Sequence, residues 1–429
     1  MPHFKYDTNS ESATFFRLLC KTDSARTLGI VFLLFFLFIF QALRDKYVPS
    51  HLKDCPGPRG LRNLSTVRAP SGHKALVTGA AGFIGSHVAK DCLNLGFEVV
   101  AVDDMSGGFR RNVPSGVRLI IGDLKDSAFV SELMEKERFD VVYHLAAYAA
   151  EGLSHFIRNY NYQNNLLATT NLITQSVRIG SVKKFVFTSS IAVYGSGRTP
   201  MMEDMQPLPE DPYGISKMAC EYDLKAANEM FGLPYVIFRP HNVYGPGQNM
   251  YDKYRNVVGI FLNQLQAGNK LTIFGDGHQT RKFSYISDVS LPIALSGVLD
   301  HVNNQVFNVG GDIATTVNEL AHVTAEAWDG SSADVLHLDA RNEVTHAESD
   351  HKKLSCFFPG LPKPVGLRTG MSQMVAWAKE TGKYFEPVKF DAVEVMWKLP
   401  PSWVTDGMKE VPAFTHNEKD NVIEAELLK

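Results

Sequence analysis

From Lys74 onward the chain alternates between two hydrophobic rhythms. Lys74-Ala-Leu-Val77 is a short apolar run of strand type. From His87 to Leu95 the apolar positions Val88, Cys92 and Leu95 share one helical face. Gly96 then stops the helix, and Phe97-Glu-Val-Val-Ala-Val102 is a second apolar run. The alternation continues, with strands expected over 75–78, 99–103, 118–122, 141–146 and 185–189 and helices starting near Ile84, Ser127 and Tyr162. Strands alternating with helices predict an α/β fold: a Rossmann-type, doubly wound parallel sheet with ligands at the carboxyl ends of the strands. From about Met201 the pattern is mixed. A helix is expected after Asp211-Pro-Tyr213, a core strand over 235–239, and helices over 261–267 and 315–328.

The two ends follow different patterns. Residues 28–40 are an unbroken apolar run with Phe and Leu on every face, and Gln41-Ala-Leu43 extends it to 16 residues, 28–43. That is just under the usual membrane span of about 17–25 residues. A polar-rich stretch of 27 residues precedes it, too long for the leader of a cleaved signal peptide. The run is therefore read as a signal anchor suited to a thin internal membrane, preceded by an N-terminal tail, 1–27. Pro49, Pro56, Pro58 and Pro70 mark 44–72 as a stem. Three basic residues on each side of the anchor (Arg17, Lys21 and Arg26; Arg44, Lys46 and Lys53) leave orientation open. The glycosylation sequon Asn63-Leu-Ser65 favours a catalytic domain in the lumen of the ER or Golgi. Residues 386–429 read as a peripheral tail.

Composition narrows the classes. The 429 residues are 45% hydrophobic and 21% charged, enough for a large core, and the net charge of −3 argues against a nucleic-acid binder working by overall charge. Five scattered cysteines show no metal-ligand spacing, so no metal is expected, and Cys92 and Cys220 read as small buried side chains.

The candidate chemistry begins at Gly79, Gly82 and Gly85, spaced by three at a strand-to-helix turn. Such a turn lets a pyrophosphate approach the backbone and meet the positive end of the helix. Asp103 ends the next strand 18 residues later, where a carboxylate would take the ribose hydroxyls of a dinucleotide. Tyr213-Gly-Ile-Ser-Lys217 puts a phenol and an ammonium one helical turn apart. A free tyrosine, with a pKa near 10, is a poor base at neutral pH, and a nearby cation improves it. Ser190 ends a strand in the dinucleotide half, 23 residues before Tyr213, and its hydroxyl could hold the same substrate oxygen.

Over about 74–383 the ordered motifs resemble the extended short-chain dehydrogenase/reductases, within them the NAD-dependent nucleotide-sugar epimerase/dehydratase branch. The resemblance implies NAD as cofactor, an NAD-binding core mainly over 73–240, and a smaller C-terminal α/β substrate-binding subdomain mainly over 241–385. It places Gly79, Gly82, Phe83, Ile84 and Gly85 on the cofactor, and Asp103, in Val102-Asp-Asp104, on the adenosine ribose. Asp123 and Leu124 match the adenine-contacting turn, and Ala146 and Ala147 the strand end beside the cofactor. Ser190 falls on the active hydroxyl, and Tyr213 and Lys217 on the catalytic pair that also touches NAD. Asn242, in Arg239-Pro-His-Asn-Val-Tyr-Gly-Pro246, matches the asparagine on the sugar diphosphate; Arg281 and Arg341 match the arginines that bind it.

Members of the branch that dehydrate or decarboxylate resemble one another in carrying an acid just after the active Ser or Thr, and the 3,5-epimerases carry a cysteine two residues after it. Here Ile191 and Ala192 follow Ser190. The expected reaction is therefore 4-epimerisation of the UDP-glucose/UDP-galactose type, by transient oxidation at C4 and return of the hydride. A UDP-glucuronate decarboxylase or 4-epimerase is the alternative within the branch. A sterol dehydrogenase is disfavoured by the diphosphate-binding residues, and a catalytically silent NAD-binding membrane protein is the alternative of another class. Glu348, if it faces the sugar, would repel a uronic acid. The branch commonly forms homodimers through helices like those near Tyr162 and Tyr213.

Overall fold

The computed structural model describes residues 64–404 apart from 198, 253, 255, 341–345 and 382–392, together with Leu52 and Cys55. The expected anchor at 28–43 lies outside the described residues, as do the N-terminal tail, most of the stem and Arg341. Among the described residues no helix is long and apolar enough to cross a membrane.

Seven parallel strands make the central sheet: β1 (Lys74–Thr78), β2 (Glu98–Asp103), β3 (Arg118–Ile121), β4 (Val141–His144), β5 (Lys184–Thr188), β6 (Tyr235–Pro240) and β11 (Gln305–Val309). Their order is β11-β6-β5-β4-β1-β2-β3, so the chain reverses direction across the sheet between β1 and β4. Gly79 and Ala146 sit at that switch point, where the crevice above the strand ends receives ligands in sheets of this kind. The last strand, β11, and its parallel pairing with β6 were missed in the sequence. So was the helix before it, Ile286–Ser296, which carries Pro292 and is buried along most of its length, Ser290 and Ser296 included.

Alternation along each strand feeds two helical layers. Ala75 and Val77 of β1, Val99 and Ala101 of β2, and Val186 of β5 join one core. Leu76, Val100, Val102, Phe185 and Phe187 join the other. On the first face lies α1 (Phe83–Leu95), stopped by Gly96 at φ +95°; it buries Val88, Cys92 and Leu95. On the second lie α2 (Ser127–Glu137), α5 (Ala168–Ile179) and α6 (Pro212–Phe231). Two short helices, α3 (Glu151–Ser154) and α4 (Arg158–Tyr162), precede α5, and a π-helical turn at Gln163–Leu167 joins α4 to it. Asp211 caps α6 by accepting from the Gly214 N–H at 2.9 Å, and Pro212 occupies its first turn.

The remaining residues build a smaller layer of short sheets. β7 (Val243–Tyr244) pairs with β10 (Ser284–Tyr285), β8 (Leu271–Phe274) with β13 (Val335–Leu338), and β9 (Thr280–Lys282) lies between β12 (Ala314–Thr316) and β14 (His346–Ala347). α7 (Val257–Gln266) follows β7. Cys55 and Cys356 form a disulfide across 301 residues, with Cα atoms 5.9 Å apart; nothing in the cysteine spacing signals that pair. Cys92 and Cys220 are both buried. Residues 393–404, within the stretch expected to be peripheral, pack against the domain, with Leu399 and Trp403 buried.

Candidate active site

The glycine turn is tight because side chains would not fit. A Cβ on Gly79, at φ +67°, would stand 2.8 Å from the Ala146 backbone, and one on Gly85 would stand 2.1 Å from the Gly79 carbonyl oxygen. The start of α1 is thereby drawn against the ends of β1 and β4. Gly82 offers that helix no side-chain cap, whereas aspartates cap α2 and α6. The first N–H groups of α1 are left for an anion in the cleft.

At the end of β2, Asp103 accepts from the Ala81 N–H through Oδ2 and the Met105 N–H through Oδ1, both at 2.9 Å. Burial pushes its carboxyl up, and the two N–H bonds oppose that. Two acceptances leave lone pairs for ribose hydroxyls. Asp123 holds the Lys125 ammonium at 3.0 Å beside the buried Leu124. A side-chain-free turn, an uncapped helix start and an acid at the next strand end fit a bound dinucleotide.

Ser190 follows β5 and opens the 3-10 turn Ile191–Tyr194; its Oγ accepts from the Ala192 N–H at 3.1 Å. Tyr213 lies in the first turn of α6, buried, with Lys217 one turn on. The Lys217 ammonium donates to the Thr188 carbonyl at 2.8 Å and stands 4.8 Å from the Phe187 ring centre and 5.8 Å from that of Tyr213. Burial lowers Lys217 to about 8, against the opposing pull of Cys220 and Glu221. A buried ammonium beside a phenol favours the phenolate.

One cleft of about 1600 Å³ runs from the glycine turn past Ser190 and Tyr213 to Asn242 and Arg281. Every site residue named from the sequence lines it except Arg341, which lies outside the described residues. Asn242 has φ +37°, and its Nδ2 donates to the Lys282 carbonyl at 3.3 Å. Arg281 lies on β9, and its Nη1 donates to the Thr280 carbonyl at 2.8 Å. Ala347 lines the cleft and Glu348 does not; the Glu348 carbonyl accepts from Met201 N–H at 2.7 Å. The expected repulsion of a uronic acid by Glu348 therefore loses its basis.

Glu221, and the partners of Arg239 and His144, were missed in the sequence. Glu221, one turn beyond Lys217, receives Arg239 in a two-pronged pair: Nε to Oε1 at 2.9 Å and Nη2 to Oε2 at 2.6 Å. Both side chains are buried, and Ser189 Oγ donates to the same carboxylate at 2.6 Å. The spacing of Glu221 from Lys217 is visible in the chain, but its partner comes from β6. His144 joins β4 to α5. Thr169 Oγ1 donates to the Asn165 carbonyl and so accepts from His144 Nε2–H at 2.8 Å, while the Thr78 hydroxyl donates to Nδ1 at 2.7 Å. This network assigns a neutral imidazole, and burial lowers His144 to about 3.

Residues 75–310 match the family model described as the NAD dependent epimerase/dehydratase family. The UDP-glucose 4-epimerase of Mycolicibacterium smegmatis is 31% identical over 309 residues, 70% of this chain and 97% of that one. The UDP-glucose 4-epimerase of Thermotoga maritima, solved with UDP-glucose, superposes with a TM-score of 0.68 at 32% identity, covering 72% of this chain and all of that one. The UDP-glucuronic acid 4-epimerase of Bacillus cereus, solved with UDP-glucuronic acid and NAD, gives 0.65 at 30% identity, covering 72% and 99%.

Proposed function

The chain belongs to the NAD-dependent epimerase/dehydratase family, and from that premise we propose that it is a nucleotide-sugar 4-epimerase of the UDP-glucose/UDP-galactose type. The observation that carries this reading is the wall beside Ser190. Ile191 and Ala192 both line the cleft there, and neither side chain exchanges a proton. The site therefore holds tools for removing and restoring one hydroxyl proton, with no acid at that position for eliminating water or carbon dioxide.

Tyr213 takes the proton of the sugar 4-hydroxyl and returns it. Lys217, whose ammonium stands 5.8 Å from the Tyr213 ring centre, stabilises the phenolate. Ser190, whose oxygen already accepts the Ala192 N–H, is left to donate its proton to the same sugar oxygen. Arg281 and Asn242 hold the diphosphate while the sugar turns over. NAD, bound along the glycine turn and Asp103, supplies the oxidation at C4 and its reversal.

The test is to incubate the full chain in detergent with UDP-glucose without added NAD and follow products by NMR. UDP-galactose formation that is lost in Tyr213→Phe is expected. Carbon dioxide and a pentose product from UDP-glucuronate would replace the 4-epimerase reading with the decarboxylase. One observation favours a UDP-glucuronate 4-epimerase as the second reading: Glu348 is not part of the cleft wall, while Arg158 and Lys398 are.

We also infer that residues 28–43 anchor the protein in an internal membrane with the catalytic domain in the lumen. The Cys55–Cys356 disulfide supports this, because disulfides persist in oxidising compartments. Peptide mapping without reductant from native membranes tests it, and two free thiols at those positions would remove the support. The half-exposed Leu167, Ile215 and Tyr222 support a homodimer through the helices that carry them, which light scattering tests.

A further inference from the structure

Residues 393–404 form a strap held at both ends. At its start, the Glu394 and Val395 N–H groups donate to the Phe156 carbonyl at 2.8 and 3.1 Å. The Glu394 carboxylate accepts the Asn159 N–H at 2.9 Å and the Tyr160 N–H at 2.8 Å, capping the first turn of α4. At its end, Leu399 and Trp403 are buried with Ala150, Leu153, Ile157 and Tyr254 in a separate hydrophobic cluster. The Trp403 ring meets Phe156 edge-on at 6.3 Å and Tyr254 at 5.3 Å. Phe156 belongs to the segment after β4, beside the expected cofactor contacts. Tyr254 belongs to the segment between β7 and α7, on the substrate side. One strap thus touches both halves of the cleft.

Its middle does not bury itself. Trp397 is 54% exposed although its neighbours Leu399 and Trp403 are buried. Both Trp397 and Lys398 line the same cleft as Ser190 and Tyr213. Lys398 has φ +62°, a left-handed conformation uncommon outside glycine, and its ammonium stands 4.5 Å above the Trp397 ring. Anchoring alone accounts for Glu394, Leu399 and Trp403. It does not account for an indole and a cation presented in the wall of a cleft. An aromatic face offers apolar packing to a sugar or base, and the cation beside it attracts the ligand's negative charge. The strap also lies outside residues 75–310, the part that matches the family model.

We propose that residues 393–404 are a substrate clasp and that Trp397 and Lys398 form part of the nucleotide-sugar site, so that this segment helps to set which sugar is accepted. This rests on the nucleotide-sugar reading above. The clasp bridges Phe156 and Tyr254, and the ligand binds beneath it against the indole.

The test uses the full chain with its retained NAD. Binding of UDP-glucose, UDP-glucuronate and UDP is measured by calorimetry, independently of turnover, for wild type, Trp397→Ala, Trp397→Phe and Lys398→Ala. Trp397→Ala is expected to weaken the nucleotide sugar roughly tenfold, with NAD content and melting temperature unchanged. Trp397→Phe recovers most of the loss, and Lys398→Ala weakens binding as well. Wild-type affinity for every ligand in both alanine variants would overturn the clasp alone, as would a loss of NAD with sugar binding intact. A wild type that binds neither sugar nor UDP would overturn the nucleotide-sugar reading and the clasp with it. Binding that depends on Trp397 without turnover would uphold the clasp and refute the epimerase.

Discussion

Replacing Lys217 by methionine removes one charge and keeps the length of the side chain. In the wild type that charge stands 5.8 Å from the centre of the Tyr213 ring, and both residues are buried. With that separation and an effective dielectric of about 20, a cation and a phenolate attract by about 3 kcal/mol. Losing it slows the proton-transfer step roughly 100-fold. Folding changes much less. The hydrogen bond from the charged donor to the Thr188 carbonyl is lost, which costs about 2 kcal/mol, while relief from burying a cation offsets much of it. The assay is the proposed conversion of UDP-glucose to UDP-galactose, followed by NMR, with NAD content and thermal melting as controls. The wild-type advantage should also depend on pH. Lys217 titrates near 8 in the folded protein, so the ammonium is present below that pH and lost above it. The ratio of wild-type to variant rate is expected to be largest below pH 8 and to shrink as pH rises through it. A loss under fivefold at pH 7 with NAD retained, or a ratio that does not change with pH, would refute the reasoning.

Two further predictions concern what holds the site. Glu221→Gln leaves the Arg239 guanidinium buried without its carboxylate, and breaking such a pair should cost about 3–5 kcal/mol in urea unfolding; a cost under about 1 kcal/mol would mean that the pair supports nothing. His144 and His241 are both held near 3 by burial, far below the unfolded value of 6.5. The unfolded chain binds their protons first, so the stability from keeping them neutral is full above pH 6.5 and is lost as pH falls toward 3. The slope approaches about 1.4 kcal/mol per pH unit for each histidine. Urea midpoints at pH 7.5 and pH 5 should show it, and His144→Gln should make the dependence shallower; equal midpoints would contradict the assignment.

Much of the nucleotide half was legible along the chain because its determinants are local. Gly79, Gly82 and Gly85 lie within seven residues, and the strand periods around them need no distant partner. Asp103 is one βαβ unit away, and Tyr213 and Lys217 share one helical turn. Hydrophobic rhythm identified six of the seven strands of the main sheet, since each shows an apolar run. β11 was missed: it is preceded by a helix with an internal proline, Ile286–Ser296, whose buried side includes the polar Ser290 and Ser296, so no clean amphipathic period announced the last crossover.

Other features depended on contacts that no local pattern contains. The Cys55–Cys356 link spans 301 residues. The Arg239–Glu221 pair exists because β6 lies beside β5, which brings the strand end under α6. Glu348 left the cleft wall because side chains on neighbouring positions of an extended segment point to opposite sides, and Ala347 took the inward one. The strap is the extreme case: its prolines and the Glu/Lys-rich residues that follow it read as a tail although its own sequence is largely apolar, and only Phe156 and Tyr254, about 250 and 150 residues earlier, give Trp403 a place to bury. By itself the sequence determined the doubly wound sheet, the glycine turn and the Tyr213–Lys217 spacing, because short-range periodicity encodes them; that Ser190 lines the same cleft as this pair, in one constellation, is a product of the fold. The tertiary structure alone decided which groups brace that constellation and which segment covers it, because burial and pairing between distant segments are properties of the packed chain.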